Sequence, residues 1–213
     1  MEPVLGARIA AYLAPFVQMH DFAGVVLVAR GDRIVFHKAF GDAPAHAPYA
    51  VGSIAKTVTA AAIELLAARG KLSLADPIGR HVRGLPYGAR VTIAQLLAHR
   101  AGVPDYDGFP EFARGRATSP TLAELVALIA AKPLDFAPGS DERYSNSGYA
   151  LLAAAIEHAS GSPYEAFVAH ELFAPLHMAH VGDLADPPRD LAPGRDPGFA
   201  PAYVTRPSPL GPG

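Results

Sequence analysis

The first forty residues combine a helical pattern of apolar positions with two strand-like apolar runs. Five apolar residues recur at helical spacing: Leu5, Ile9, Tyr12, Leu13 and Phe16. This spacing predicts an amphipathic helix over residues 4–19. Two runs rich in β-branched residues follow, and the dipeptide Gly31-Asp32 separates them. A two-residue link of this kind predicts a hairpin with antiparallel strands Gly24–Arg30 and Arg33–Phe40.

From Ser53 onward the apolar pattern is helical. The segment SIAKTVTAAAIELLAARG is rich in alanine and leucine, which predicts a helix that begins at Ser53 and stops at Gly70. Three later helix starts show the capping-box pattern of Ser or Thr followed three residues on by Glu or Gln. These pairs are Thr92 with Gln95, Thr121 with Glu124, and Ser162 with Glu165. A further helix is predicted around Gly148 to Ser160, with Gly161 as its stop.

The order of elements is helix, hairpin and then a long run of helices, which predicts an α+β fold with strands and helices segregated. We predict one domain over residues 1–186, in which residues 1–48 supply the helix and hairpin and residues 49–186 form a mostly helical part. The stretch from 186 to 213 contains eight prolines, so residues 187–213 are predicted to be an irregular tail.

Composition narrows the function classes. Half of the 213 residues are hydrophobic, which is enough for a substantial core. The net charge of -2 without a basic block argues against a nucleic-acid partner, and the lack of cysteine excludes disulfides and a cysteine nucleophile. No apolar stretch reaches the roughly 18 residues that cross a bilayer, so no membrane partner is predicted. The start lacks a signal-peptide pattern, which predicts a cytoplasmic chain as written, or a periplasmic or secreted one if a signal precedes it.

The tetrad Ser53-Ile54-Ala55-Lys56 is the first candidate for chemistry. Residues three apart share a helix face, so the Lys56 amine can reach the Ser53 hydroxyl. A position at a helix N-terminus favours negative charge that develops on Ser53. A serine hydroxyl is inert until a neighbour takes its proton, and an amine withdrawn from water can do so. The alternative interpretation is a capping serine followed by an exposed helix lysine.

The second candidate is Tyr144-Ser145-Asn146, which contains the single asparagine of the chain. A tyrosine hydroxyl near a lysine ammonium can relay a proton between the nucleophile and the leaving group. An asparagine amide can hold a substrate carbonyl and the lysine together. The alternative interpretation is an ordinary surface turn, because Ser, Asn and Gly are common turn residues.

Together the two motifs resemble those of one group of serine hydrolases, the class C β-lactamases, DD-peptidases and esterases. The resemblance lies in GSIAKTVTAAAIELLAARGKLSLADPI, VTIAQLLAHRAGVPDY and FAPGSDERYSNSGYALLAAAIEHASGSPYEAFVAHELFAPLHM, between about Gly24 and Met178. The S-x-x-K tetrad marks the nucleophile of β-lactamases and penicillin-binding proteins. The resemblance implies a β-lactamase/transpeptidase-like fold, an acyl-enzyme on Ser53, proton handling by Lys56 and Tyr144, and substrate binding by Asn146. It implies no cofactor.

The resembling family carries a third motif, a basic residue or histidine followed by small residues ending in glycine, on a strand near its C-terminus. That strand also supplies the second oxyanion-hole N–H. After Tyr203 this chain has only VTRPSPLGPG, so we expect the third motif and the later sheet strands to be missing. Loss of one oxyanion donor typically costs about 3 kcal/mol of transition-state stabilisation.

Three hypotheses follow. The first is a serine hydrolase that acts on an amide, β-lactam or ester carbonyl of a small-molecule or peptide-like substrate. The second is an inactive truncated homologue, at most a weak ligand binder. The third is completion of the site by a partner chain; the sequence does not indicate an oligomeric state.

Other polar and aromatic residues are interpreted as structural. His99 lies in a stretch that walls the site in the resembling family, and Asp76 fits a local cap in the LADPI turn. Tyr106 and Phe109 fit loop anchors. The nine histidines are scattered without the spacing of a metal site, so no metal is predicted.

Overall fold

The computed structural model describes residues 2–115, 120–182 and 191–192. These residues fall into two compact units, one that runs to Ala50 and includes residues 191–192, and one that begins at Val51. Apart from residues 191–192, the predicted irregular tail lies outside the described residues. The elements in chain order are α1 (Glu2–Gln18), β1 (Gly24–Arg30), β2 (Arg33–Phe40), α2 (Ala55–Ala68), α3 (Ile93–Leu97), α4 (Pro110–Gly115), α5 (Leu122–Ala130), α6 (Asn146–Ser160) and α7 (Tyr164–Val168).

The first unit consists of α1 and the hairpin. Strands β1 and β2 pair antiparallel with the predicted bounds, and their register runs from Gly24 opposite Phe40 to Arg30 opposite Arg33. Helix α1 packs on β2. The approach is close at Gly6, where an added Cβ would come 3.2 Å from the ring of Phe36. The predicted helix and hairpin are therefore confirmed, with α1 starting two residues earlier than the apolar pattern indicates.

The second unit is helical and is built around α6. This helix contacts α2, α3, α5 and α7, because its apolar residues face several neighbours. Fully buried side chains from these helices form the core: Ile63, Leu66, Ile93, Leu96, Leu125, Ile129, Leu151, Leu152 and Ile156. Helix α6 ends at Gly161 with a φ of 73°, the left-handed conformation that glycine adopts without strain. The predicted stop of this helix is therefore confirmed.

The helix starts show where sequence and structure differ. The capping boxes at the starts of α3 and α5 are confirmed. The predicted box at Ser162 is wrong, because Pro163 is the N-cap and no side chain of α7 itself caps the helix. Instead, the backbone N–H of Tyr164 donates to Oε1 of Glu157 at 3.0 Å. The acceptor comes from α6, the helix that precedes α7, and so replaces the local pair.

Asp76 connects a loop to the turn that follows it. Its carboxylate accepts hydrogen bonds from the backbone N–H of Ser73 (3.0 Å), from Arg80 (2.8 Å) and from Nε2 of His81 (2.9 Å). The bond from His81, and next the Ser73 N–H, hold the pKa of Asp76 below its usual 3.8. The interpretation of Asp76 as a local cap is confirmed, and the carboxylate also pairs with the buried His81.

We expect Asp76→Ala to lower the free energy of unfolding by about 2–4 kcal/mol at pH 7, because it leaves Nε2 of the buried His81 without its acceptor. The pKa of Asp76 is lower in the folded than in the unfolded state, so its stabilisation is complete above about pH 4 and is lost as the pH falls through the folded pKa. Urea denaturation at several pH values measures both effects. Equal stability of the variant and the parent at pH 7 would contradict the prediction.

None of the helices in the described ranges combines the length and the apolar character that crossing a bilayer requires.

Candidate active site

Ser53 lies in a short 3₁₀ turn, Gly52–Ile54, immediately before α2. The turn begins at Gly52 with a φ of 52°, and Ser53 is exposed. Helix α2 itself begins at Ala55, so the prediction that it begins at Ser53 is wrong by two residues. The reason is that a tighter 3₁₀ turn precedes the α-helix, as is frequent at helix N-termini. Ser53 is still in the first helical turn, where backbone N–H groups lack intrahelical acceptors.

Lys56 is buried at the start of α2, with 7% of its surface exposed. Its Nζ donates a hydrogen bond of 2.7 Å to Oδ1 of Asn146. The same nitrogen lies 5.0 Å from the ring centroid of Tyr144 and 5.4 Å from that of Tyr149. Burial of a lysine is rare unless its charge is compensated, and here an amide oxygen and two aromatic faces surround it. The alternative interpretation, an exposed helix lysine, is therefore wrong.

Tyr144 reaches Ser53 from the loop before α6. Its hydroxyl lies 2.7 Å from Oγ of Ser53, and either oxygen can be the donor. Ser145 caps α6 by accepting a hydrogen bond from the backbone N–H of Gly148, which makes Asn146 the first residue of the helix. The tripeptide is therefore a helix start and not an ordinary surface turn; Ser145 is buried, whereas the Tyr144 side chain is 47% exposed. The N-cap thus fixes the tripeptide at the start of α6.

The structure thus brings together all four residues predicted for the site, in two bonded pairs. Ser53 is hydrogen-bonded to Tyr144, and Lys56 to Asn146. Within the described part of the chain no hydrogen bond joins Lys56 to Ser53, so a direct proton transfer between these two remains a prediction. Lys56 instead faces the ring of Tyr144, the residue that contacts Ser53.

His99 supports Tyr144 and its neighbours. Its ring centroid lies 4.6 Å from that of Tyr144 and 5.2 Å from that of Tyr149. Its Nδ1 lies 3.2 Å from the backbone nitrogen of Ser145 and accepts its N–H. Burial, and secondly the charge of Lys56, hold the pKa of His99 below its usual 6.5. The imidazole is therefore neutral at pH 7 and keeps the lone pair that this bond requires.

Sequence reasoning assigned His99 a structural role but missed the bond to Ser145, and it missed Tyr149 entirely. His99 and Ser145 lie 46 residues apart, and no spacing rule connects them. Sequence reasoning also missed Asp105 and Asp107, which accept hydrogen bonds from Nδ2 of Asn146. The only local signal is their place in the stretch GVPDYDG, whose glycine and proline residues are typical of a loop.

Tyr106 and Phe109 are buried, each with 7% exposure, as expected for loop anchors. In the described ranges no three or more histidine or acidic side chains are grouped so as to hold a metal ion.

The geometry can be compared with known proteins. The sequence profile of the family described as Beta-lactamase matches residues 9–208. This chain belongs to the β-lactamase family. Penicillin-binding protein 4* of Bacillus subtilis (strain 168) is 34% identical over 198 residues, which cover 88% of this chain and 43% of that protein. This β-lactamase-family chain therefore spans less than half the length of that relative.

Solved structures give the fold. A D-stereospecific amidohydrolase from Streptomyces sp. superposes with a TM-score of 0.72 at 26% identity, over 83% of this chain and 59% of the other. A class C β-lactamase superposes with a TM-score of 0.81 at 21% identity, over 98% and 60% of the two chains. The predicted β-lactamase/transpeptidase-like α+β fold is therefore confirmed. The described residues contribute a two-stranded sheet to it.

Proposed function

We propose that this β-lactamase-family chain is a serine hydrolase that forms an acyl-enzyme on Ser53. The observation that carries the proposal is the 2.7 Å contact between the Ser53 and Tyr144 hydroxyls beside a buried lysine. A similar protein is named for penicillin binding and another for amide hydrolysis, which favours an amide, β-lactam or ester carbonyl as the substrate.

In the proposed reaction, Oγ of Ser53 attacks the carbonyl carbon and a carbon–oxygen bond forms. The proton of Ser53 passes to the oxygen of Tyr144 while Tyr144 gives its own proton to the leaving group, whose bond to the carbonyl carbon breaks. Tyr144 thus ends the step neutral and no net charge is created. In this proposal the backbone N–H of Ser53 donates to the carbonyl oxygen as that oxygen becomes negative. Water then releases the acyl group by the same proton route.

Lys56 and Asn146 support this relay. The Lys56 ammonium faces the Tyr144 ring, so its charge stabilises negative charge that develops in the Ser53–Tyr144 pair. In this arrangement Lys56 assists the proton transfer between Ser53 and Tyr144 by its charge, and it does not need to contact Ser53 itself. Asn146 holds Lys56 in place through its amide oxygen and lies at the position expected to orient a substrate carbonyl.

Covalent labelling tests the proposal. The folded chain is incubated with a fluorescent penicillin and, separately, with a fluorophosphonate, and the labelled peptide is identified by mass spectrometry. We expect label on Ser53 in the folded protein and none after denaturation, because the hydroxyl is activated only by the folded contacts. If a folded sample stays unlabelled while penicillin-binding protein 4* reacts, this chain is an inactive homologue. If Ser53 is labelled, two further measurements distinguish the substrate classes: the lifetime of the acyl-enzyme formed with a β-lactam, and the rate of hydrolysis of a p-nitrophenyl ester.

A further inference from the structure

Two carboxylates lie next to Nδ2 of the Asn146 amide, whereas Lys56 contacts its Oδ1. We propose that Asp105 and Asp107 are positioning residues, which fix the orientation of this amide and so hold Lys56 against Tyr144. The inference rests on the proposed function for its catalytic consequence, but its structural claim stands on hydrogen bonds alone.

The hydrogen bonds allow only one orientation of the amide. Nδ2 of Asn146 donates to Asp105 at 3.2 Å to Oδ2 and 3.4 Å to Oδ1, and to Oδ2 of Asp107 at 3.1 Å. Oδ1 of Asn146 accepts from Lys56 at 2.7 Å. An ionised carboxylate only accepts hydrogen bonds and an ammonium only donates them. A flipped amide would place its oxygen against two carboxylates and its NH₂ group against the ammonium, and would lose every one of these bonds.

The loop that carries the carboxylates is itself fixed to the helix that carries Asn146. Asp105 caps the short turn Tyr106–Gly108 by accepting the backbone N–H of Asp107 at 3.2 Å. The backbone N–H of the buried Tyr106 donates to Oγ of Ser147 at 2.9 Å. Ser147 is fully buried in the first turn of α6, next to Asn146. The carboxylates and the amide are therefore held by the same helix start, which limits their relative motion.

The charges on either side of the Asn146 amide favour one orientation of its dipole. The Lys56 ammonium is buried, and a buried charge needs compensation. The polar amide of Asn146 lies between this ammonium and the two carboxylates, so its dipole points its oxygen toward the positive charge and its nitrogen toward the negative charges. Without the carboxylates the amide loses the bonds that select this orientation, and Lys56 loses a fixed acceptor.

The chain offers a direct measurement because Asn146 is its only asparagine. Selective ¹⁵N-asparagine labelling gives a single side-chain amide in the NMR spectrum, and its two protons report on the proposed bonds in the absence of any substrate. In the Asp105→Ala/Asp107→Ala double variant we expect exchange of these protons with water to rise about tenfold or more, the factor that corresponds to about 1.4 kcal/mol of lost hydrogen bonding. The single substitutions Asp105→Asn and Asp107→Asn keep an acceptor oxygen, but each adds a second asparagine amide to the labelled spectrum, so these two variants are compared by acylation kinetics.

Acylation kinetics supply the second readout. For the double alanine variant we expect the acylation rate constant to fall about 10- to 100-fold with little change in the binding constant of the probe, because a misplaced group affects the reaction more than binding. Each single asparagine variant is expected to recover most of the rate, which a loss of local stability alone does not predict. If the double alanine variant does not fold, Asp107→Ala alone replaces it, since Asp107 is exposed.

Two substitutions serve as matched controls. Asp32→Ala removes a carboxylate from the exposed hairpin turn, and Glu142→Gln removes one that acts on His99 by its charge but does not contact Asn146. Both are expected to leave the Asn146 amide signals unchanged. An unchanged amide in the double alanine variant would overturn the inference. A changed amide in a protein that no probe acylates would support the positioning and overturn the proposed function instead.

Discussion

Ser53→Ala is expected to abolish labelling by the fluorescent penicillin and to lower p-nitrophenyl ester hydrolysis by about 10⁴-fold or more, since alanine has no nucleophilic oxygen. The substitution removes a single oxygen from an exposed side chain, so the free energy of unfolding should change by no more than about 0.5 kcal/mol. Gel fluorescence, ester turnover and urea denaturation of the same preparation measure the three quantities.

The matched control is Ser140→Ala. Ser140 is an exposed serine whose hydroxyl bonds only to a nearby backbone oxygen, that of Ala137. The Ser140→Ala variant should be labelled on Ser53 to the same extent as the parent protein. Undiminished ester hydrolysis by Ser53→Ala would show that another group, or a contaminating enzyme, performs the reaction, and the proposed function would be wrong.

Tyr144→Phe is expected to slow acylation by about 10²- to 10⁴-fold, the range that a positioned proton-transfer group contributes. Phenylalanine keeps the ring that lies between Lys56 and His99, so the packing of the site is preserved. It removes only the hydroxyl that contacts Ser53. Stopped-flow measurement of acyl-enzyme formation separates this loss from any change in probe binding.

Tyr12→Phe is a suitable control, because Tyr12 lies on α1 and is 73% exposed. The Tyr12→Phe variant should be acylated by the probe at the rate of the parent protein. An equally fast Tyr144→Phe variant would mean that the proton of Ser53 does not leave through the phenol. Direct transfer to Lys56, the route that the tetrad spacing suggests, would then be favoured.

Local patterns predicted most of the elements of this chain. The β-branched runs on either side of Gly31-Asp32 defined both strands to the residue, because strand pairing across a two-residue turn is a local event. The capping boxes at Thr92 and Thr121 were also found, since both partners lie within one helical turn. The box at Ser162 was not, because Glu157 of the neighbouring helix supplies the acceptor.

For the site, the sequence by itself determined which residue types are available and that Ser53 and Lys56 are three residues apart, about one helical turn. The tertiary structure decided which groups touch. It placed the Tyr144 hydroxyl against that of Ser53, 91 residues away in the chain, and it buried Lys56 against Asn146. It also brought His99, Asp105 and Asp107 to the site. The physical reason is the separation along the chain of the interacting residues. Caps and turns depend on neighbours within a few residues. A hydrogen bond between distant loops exists only after the core has packed and has fixed the loops in place.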